Sequence, residues 1–250
     1  MRQETCAPVP SRAASAAELR RIAALRLGGA LALSALKALI YFLSFLGPAL
    51  VISWLIPVPV PVLVLLAMVG YAVSGCVFLG LVVGLRRLIA GELNLSGRRT
   101  IDHPEVKRWF VAAILNSLMI DGLFRSMVTG LSFLSAAYYR GMGARMPNSV
   151  FMGLRVMIYD PWHLEVGENV NIGAGTVISG HAGNGKVVTF DRVVIEDEAI
   201  LGANILILPG VRIGRQARVA AGAVVITGTA IPDGETWAGV PAKKINDRSS

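Results

Sequence analysis

The chain is poor in charge: Asp, Glu, Lys and Arg make up 16% of its 250 residues, against about 25% in an ordinary soluble domain. It is also sparing in aromatics, at 7%, while 54% is apolar and the mean hydropathy is +0.61. That balance excludes a disordered chain, which needs low hydrophobicity and high charge. With only two cysteines, Cys6 near the N-terminus and Cys76 inside an apolar run, neither a disulfide framework nor a CxxC zinc site can form. No G-x-S-x-G elbow occurs, which argues against a serine nucleophile of that type. The largest gap lies between Lys37 and Arg86, where there is no charged side chain at all.

What fills that gap is membrane-like. Ala38 to Ile56 and Val62 to Leu85 are each long enough, at 1.5 Å per residue, to cross a hydrocarbon core about 30 Å thick. Between them, Pro57-Val-Pro-Val-Pro61 marks a turn. The first segment holds Gly47-Pro48 and lacks a small-residue cleavage site, which reads as an uncleaved anchor. The net charge of +8 comes with Arg2, Arg12, Arg20, Arg21, Arg26, Lys37, Arg86, Arg87, Arg98 and Arg99 on the outer ends of the pair. The excess therefore reads as positive-inside topology before nucleic-acid binding. Two transmembrane helices in a cell membrane, with both termini cytoplasmic, are expected.

Glu92 to Arg99 reads as a polar loop, and Asp102 with Pro104 as a helix start. Val111–Phe124 and Met127–Tyr139 are apolar but broken by Asp121-Gly122 and Arg125. Each piece is too short to span alone, so two interfacial or re-entrant helices are expected, insertion being the alternative. Asp121 is expected to pair with Arg125, four residues on; its other reading is orienting an acceptor headgroup.

From Ile158 onward the period changes. Ile195, Leu201, Ile207, Ile213, Val219, Val225, Ile231 and Trp237 recur at a strict spacing of six, and Val166, Ile172 and Ile178 carry the same step upstream. Ala199, Val211, Ala217, Ala223 and Thr229 stand four residues after the aliphatic positions. A period of six is neither helix nor simple strand; it is the hexapeptide repeat of a parallel β-helix. One aliphatic side chain per flat face points inward, and stacking of coils buries what a single coil cannot. The step from Ile178 to Ile195 is 17 residues, and Gly180 to Lys186 reads there as a polar, glycine-rich loop that breaks the register.

These residues resemble the hexapeptide-repeat acyltransferases, left-handed β-helix proteins that move acyl groups from coenzyme A or acyl carrier protein to hydroxyl or amino acceptors. Trp237-Ala-Gly-Val-Pro-Ala-Lys-Lys-Ile245 is similar to their closing Gly-x-Pro-Ala-basic motif, and Ile172 to His181 to the segment leading to their catalytic histidine. Lys107-Arg-Trp-Phe110, Tyr139 to Arg145, His181 and Gly-Val-Pro-Ala also resemble, in order, the membrane-bound terminal domain of certain nonribosomal-peptide-synthetase-like proteins of the poly-lysine synthetase type. Here, however, small residues, Ala182 to Gly185, follow the histidine.

The resemblance implies His181 as general base, a role that suits imidazole near neutral pH; its other reading is a solvated loop histidine. It implies Ala203 and Ala221 along the pantetheine arm, although small residues also simply turn corners. Lys243 and Lys244 are implied at the coenzyme A phosphates, or form a solvated terminal charge cluster. Trp237 is expected to pack as a repeat residue and cap. His163 is expected to be a structural or membrane-facing residue rather than a second base. The γ-carbonic anhydrases share the fold but need three histidine ligands, which His103, His163 and His181 do not suit, so no metal is expected.

The fold class expected is thus an α + β membrane protein: an N-terminal transmembrane helical hairpin with interfacial helices, then a C-terminal left-handed parallel β-helix. The divisions are a cytoplasmic tail (1–30), the hairpin (31–90), a loop with membrane-proximal helices (91–145) and the β-helix (146–250). The expected activity is transfer of acetyl from acetyl-CoA to a hydroxyl or amine of a lipid-linked or membrane-associated acceptor, by a homotrimer with sites between neighbouring subunits and without nucleic acid. The alternatives are a non-catalytic scaffold or partner-binding module, and a carrier-protein-dependent acyltransferase.

Overall fold

The computed structural model describes residues 16–245 except 56, 58, 121 and 185, with side chains from residue 34 onward save that of Asn184. Asp121, and with it the expected pairing to Arg125, therefore lies outside the described residues. Two long helices come first: α1 (Ala16–Leu55), with Pro48 inside it, and α2 (Val60–Ala90), with Pro59 at its N-cap and Pro61 in its first turn. Ser34–Leu55 and Val60–Ala90 are long and apolar enough to cross a membrane. Much of their apolar surface faces outward, as Phe42, Trp54, Val60, Leu65 and Met68 show.

Pro104 starts α3 (Pro104–Ile120), as its residue type predicts. Two shorter helices follow, α4 (Arg125–Thr129) and α5 (Ser132–Gly141), so the expected pair is in fact three. Phe124, fully buried between α3 and α4, sits among Tyr41, Phe45, Tyr71 and Phe78 of the long helices at ring separations of 5.2–5.9 Å. The backbone beside it is held from both sides. The Leu123 N–H donates to the Tyr41 hydroxyl at 2.7 Å, and the Tyr71 hydroxyl donates to the Leu123 carbonyl at 3.2 Å.

The hexapeptide register is realised as a three-faced parallel β-helix. The first face stacks Met152, Ile172, Leu201, Val219 and Trp237 in register. The second stacks Ile158, Ile178, Ile207 and Val225; the third stacks Val166, Ile195, Ile213 and Ile231. All but Trp237 are buried, and burial of each such side chain is worth about 1.5–3 kcal/mol. The residues four places on, Ala199, Val211, Ala217 and Ala223, are fully buried in the corners. Successive coils leave no room for larger side chains at some of these corners: a Cβ on Gly202 would stand 2.5 Å from the Ala221 nitrogen. Lys243–Lys244 turns back antiparallel on Thr236–Ala238 and ends the first face.

Two features depart from the sequence-based expectation. The 17-residue step from Ile178 to Ile195 is one ordinary step, from the second face to the third, enlarged by a β-hairpin of His181–Asn184 and Val187–Phe190. His181–Asn184 of the expected polar loop is therefore strand, paired with a second arm in which Val188 and Phe190 are buried at alternate positions. The expected loop at 92–99 also ends in strand: Gly97–Thr100 pairs antiparallel with Val187–Phe190 and completes a three-stranded sheet. The 91–145 segment is thereby built into the β-helical part, not merely linked to it.

Replacing Ile207, which lies between Ile178 and Val225 with no exposure, with Ala should cost about 2–5 kcal/mol in chemical unfolding. Arg212→Ala, at an exposed ion pair with Glu196, should cost less than about 1 kcal/mol. Equal losses would contradict the stacked-face architecture.

Candidate active site

Both irregular corners of the β-helix lie between the second and third faces. In one coil the step from Ile158 to Val166 is eight residues, enlarged by a short 3-10 turn at Pro161–His163; in the next, the hairpin is inserted. Stacked on one another, these two insertions bring Asp160 and His181 together. His181 Nδ1 lies 2.5 Å from Asp160 Oδ2.

Asp160 is buried completely, and its carboxylate is met from three directions. Trp109 Nε1 of α3 donates to Oδ1 at 2.6 Å, and the Gly180 N–H donates to Oδ2 at 2.9 Å. The third is His181 itself, and the Ser179 hydroxyl lies beside it, 3.5 Å from Oδ2. A buried carboxylate is costly unless such donors replace its water. Trp109 is two helical turns before Asn116, on the same face of α3. Asn116 Nδ2 donates to the Ile158 and Tyr159 carbonyls at 2.8 and 3.1 Å, and its Oδ1 accepts the Tyr138 hydroxyl at 3.1 Å. The helix is thus fastened to the coil corner that carries the aspartate.

His181 keeps 28% of its side chain exposed. The indole of Trp109 contacts its ring edge-on at a centroid distance of 4.7 Å, and Phe190 lies on the same cluster. The Ser179 hydroxyl donates to the His181 carbonyl at 2.8 Å and bounds the site from the coil side. Gly180 is required by space: a Cβ there would be 2.6 Å from the His163 Cβ and 3.1 Å from the Asp160 Cβ. With the aspartate accepting the Nδ1 proton, the imidazole is held in the tautomer whose Nε2 can accept another. Among the described residues Nε2 has no hydrogen-bond partner.

The other expected residues fall elsewhere. Ala203 and Ala221 stack in adjacent coils at the corner between the first and second faces, where the Gly222 N–H donates to the Ala203 carbonyl at 2.8 Å. Ala203 is half-buried and Ala221 exposed. Lys243 and Lys244 are exposed at the end of the first face, and Lys244 Nζ pairs with Glu235 at 2.6 Å. Trp237, half-buried in the same stack, donates its indole N–H to Glu235 at 2.9 Å. One chain therefore does not bring Ala203, Ala221, Lys243 or Lys244 to the corner from which His181 departs. His103 stands at the start of α3, accepting the Glu105 N–H at 3.3 Å. Among the described residues no cluster of three His, Cys, Asp or Glu could hold a metal ion.

Asp160, Trp109 and Asn116 were not singled out by sequence reasoning as site residues. The available signal was an interruption of the six-residue step at 158–166, directly one coil before the histidine insertion. His163 is buried as expected of a structural residue, and neither ring nitrogen has a hydrogen-bond partner among the described residues.

Residues 192–227 match the family model described as the hexapeptide repeat of succinyl-transferase. Over 83 residues the chain is 45% identical to 2,3,4,5-tetrahydropyridine-2,6-dicarboxylate N-acetyltransferase of Staphylococcus aureus, covering 33% of this chain and 33% of that protein. The chain thus spans about one third of the length of the curated relatives it matches. Among solved structures, a galactoside acetyltransferase in complex with coenzyme A is 16% identical with a TM-score of 0.46, covering 63% of this chain and 90% of that one. A hexapeptide-repeat acetyltransferase of Vibrio cholerae O1 biovar eltor, complexed with acetyl coenzyme A, is 17% identical with a TM-score of 0.43, covering 60% and 92%. Both the family model and the curated relatives that match are of hexapeptide-repeat or acetyltransferase description, over a minority of this chain.

Burial holds the His163 pKa below the ordinary histidine value, outweighing the upward pull of Asp160. The unfolded chain therefore takes up a proton near pH 6.5 that the folded chain refuses, so His163 makes stability fall as pH drops through that value. Between about pH 7.5 and 5.5, the unfolding midpoint of His163→Leu should decline less than that of the wild type. Parallel declines would show that this histidine does not set the acid limb.

Proposed function

We propose that the protein is a membrane-anchored acyltransferase that moves an acetyl group from acetyl-CoA to a hydroxyl or amine of a membrane-associated acceptor. The observation that carries this reading is the His181–Asp160 pair, a partly exposed imidazole fixed by a fully buried carboxylate. In the reaction the acceptor's O–H or N–H gives its proton to His181 Nε2 as the oxygen or nitrogen attacks the thioester carbonyl carbon. The tetrahedral intermediate collapses with cleavage of the C–S bond, and the departing thiolate of coenzyme A takes the proton back from Nε2. Asp160 stays ionised and stabilises the transient imidazolium. No acyl-enzyme is involved, since neither cysteine belongs to the β-helix.

Donor recognition is assigned to Ala203 and Ala221, small enough for a pantetheine arm to lie against the backbone, and to Lys243 and Lys244 at the nucleotide phosphates. Their placement away from the corner of His181 is the reason to read the working form as a homotrimer. A site shared between copies would let one subunit's histidine face another's donor-binding corner. Ser34–Leu55 and Val60–Ala90 are read as the membrane hairpin, with the flanking cations cytoplasmic. We keep the kinship to the poly-lysine synthetase type of terminal domain as part of this reading; it rests on the sequence motifs.

The test is incubation of the detergent-solubilised full chain with radiolabelled acetyl-CoA and a lipid and metabolite extract. Label should pass to an extractable product in the wild type. His181→Ala should lower the rate by about 10²–10⁴-fold, and Asp160→Asn should lower kcat strongly with little change in the KM for acetyl-CoA. Absence of both transfer and coenzyme A binding would overturn the acetyl-CoA reading in favour of a carrier-protein donor or a scaffold.

A further inference from the structure

Trp162 of the 3-10 turn lines a cavity of about 480 Å³ at the C-terminal end of α2. Four arginines line it: Arg86 and Arg87 of α2, Arg145, and Arg192 just after the hairpin. Arg86 is 6% exposed, its guanidinium lies 5.4 Å from the centre of the Trp162 ring, and its Nε has no hydrogen-bond partner among the described residues. Nor does it form an ion pair with any of them. A buried guanidinium normally has its donors matched by carboxylate, phosphate or carbonyl oxygens.

The charges around it leave an excess of positive sign. Glu165 is shared by Arg145, at 2.6 Å, and Arg192. Glu92 is the one acid on the lining. The negative end of α2 is occupied by Arg108, whose Nη2 and Nε donate to the Ala90 carbonyl at 2.5 and 3.0 Å. Arg87 Nε donates to the Gly141 carbonyl at 3.1 Å, which fixes its guanidinium at the wall. An oxyanion with several acceptor atoms answers these donors.

Depth identifies the source of that oxyanion. From Val60 to Arg86 an α-helix rises about 39 Å, while the hydrocarbon core is about 30 Å thick and the bilayer with headgroups about 40–45 Å. If α2 spans, Arg86 stands at the level of the lipid phosphates on the positively flanked side. We propose that this cavity binds the phosphate of a membrane lipid. The proposal rests on the membrane and acyl-transfer reading above and adds the chemical class that is recognised.

The full chain in detergent is titrated, by native mass spectrometry, with phosphatidic acid and with diacylglycerol of the same chains, which differ only in the phosphate. The wild type should retain phosphatidic acid in preference to diacylglycerol. Arg86→Gln, and independently Arg192→Gln on the partly exposed wall, should each weaken that retention by about tenfold or more. Thermal unfolding checks both variants, so a folding defect at the buried position leaves the second to decide. Equal retention of the two lipids, or wild-type affinity in both variants, overturns the proposal. Inorganic phosphate binding as tightly as phosphatidic acid would assign the cavity to a free anion, and displacement of the lipid by coenzyme A would assign it to the donor; either removes the lipid. Acetyl transfer measured on the same samples separates the two readings. Lipid discrimination without transfer rejects the acyltransferase alone, and transfer without discrimination rejects this cavity alone.

Discussion

The carboxylate of Asp160 is the interaction on which the arrangement of the other parts depends. It is shut away from water, and the donors that converge on it, an indole N–H, a backbone N–H and an imidazole, replace the hydration it has lost. Those donors come from α3, from the coil leaving the second face and from the inserted hairpin. Satisfying one buried group therefore fixes the relative positions of three segments distant along the chain: α3, the corner that carries Asp160, and Gly180–His181 at the start of the hairpin. Losing any one donor exposes the others to the cost of an unmatched charge, so the site and the packing of α3 onto the β-helix are the same structural fact.

The β-helix supplies rigidity through regularity, and its interruptions supply chemistry. Where the six-residue step holds, aliphatic side chains stack and small residues close the corners, and the buried hydroxyl of Thr176 is matched by the Gly202 carbonyl of the next coil. Where the step is enlarged, at Pro161–His163 and at the hairpin, backbone and side chains swing out of the prism. Because the two enlargements fall on the same corner of consecutive coils, they stack into a local surface that the repeat alone could not make. Gly97–Thr100 pairs with the outer arm of the hairpin and Phe190 packs on Trp109, so the protruding strands are held from the N-terminal side.

The helical part is tied to this surface by shape as well as by hydrogen bonds. Phe124 occupies an aromatic socket made by α1 and α2, while Gly75 gives Met127 its space, a Cβ there being 2.2 Å from the Met127 Cε. α3 then faces two ways, toward α2 through apolar contacts and toward the coil corner through Trp109 and Asn116. Its amphipathic character is thus a consequence of bridging two packing surfaces, which serves an interfacial location equally well.

The sequence by itself determined what is periodic or local. The spacing of six set the β-helix and its inward-facing residues, the uncharged runs set two long apolar helices, and Pro104 set the start of α3. His181 could be singled out because its motif is continuous. Tertiary structure decided what depends on neighbours far apart in sequence: Asp160 is 21 residues from His181, Trp109 is 51 from Asp160, and the strand Gly97–Thr100 finds its partner at Val187–Phe190. A strand of four residues, two of them arginines, carries no periodic signal, and an aspartate before a proline reads as an ordinary turn. Likewise Arg86 reads as a topology signal in sequence, and becomes a buried, unmatched guanidinium only when Trp162 and Gly143 are folded over it. The physical reason is common to these cases: hydrogen-bond satisfaction and burial are properties of the partners that surround a group, and chain order does not state who they are.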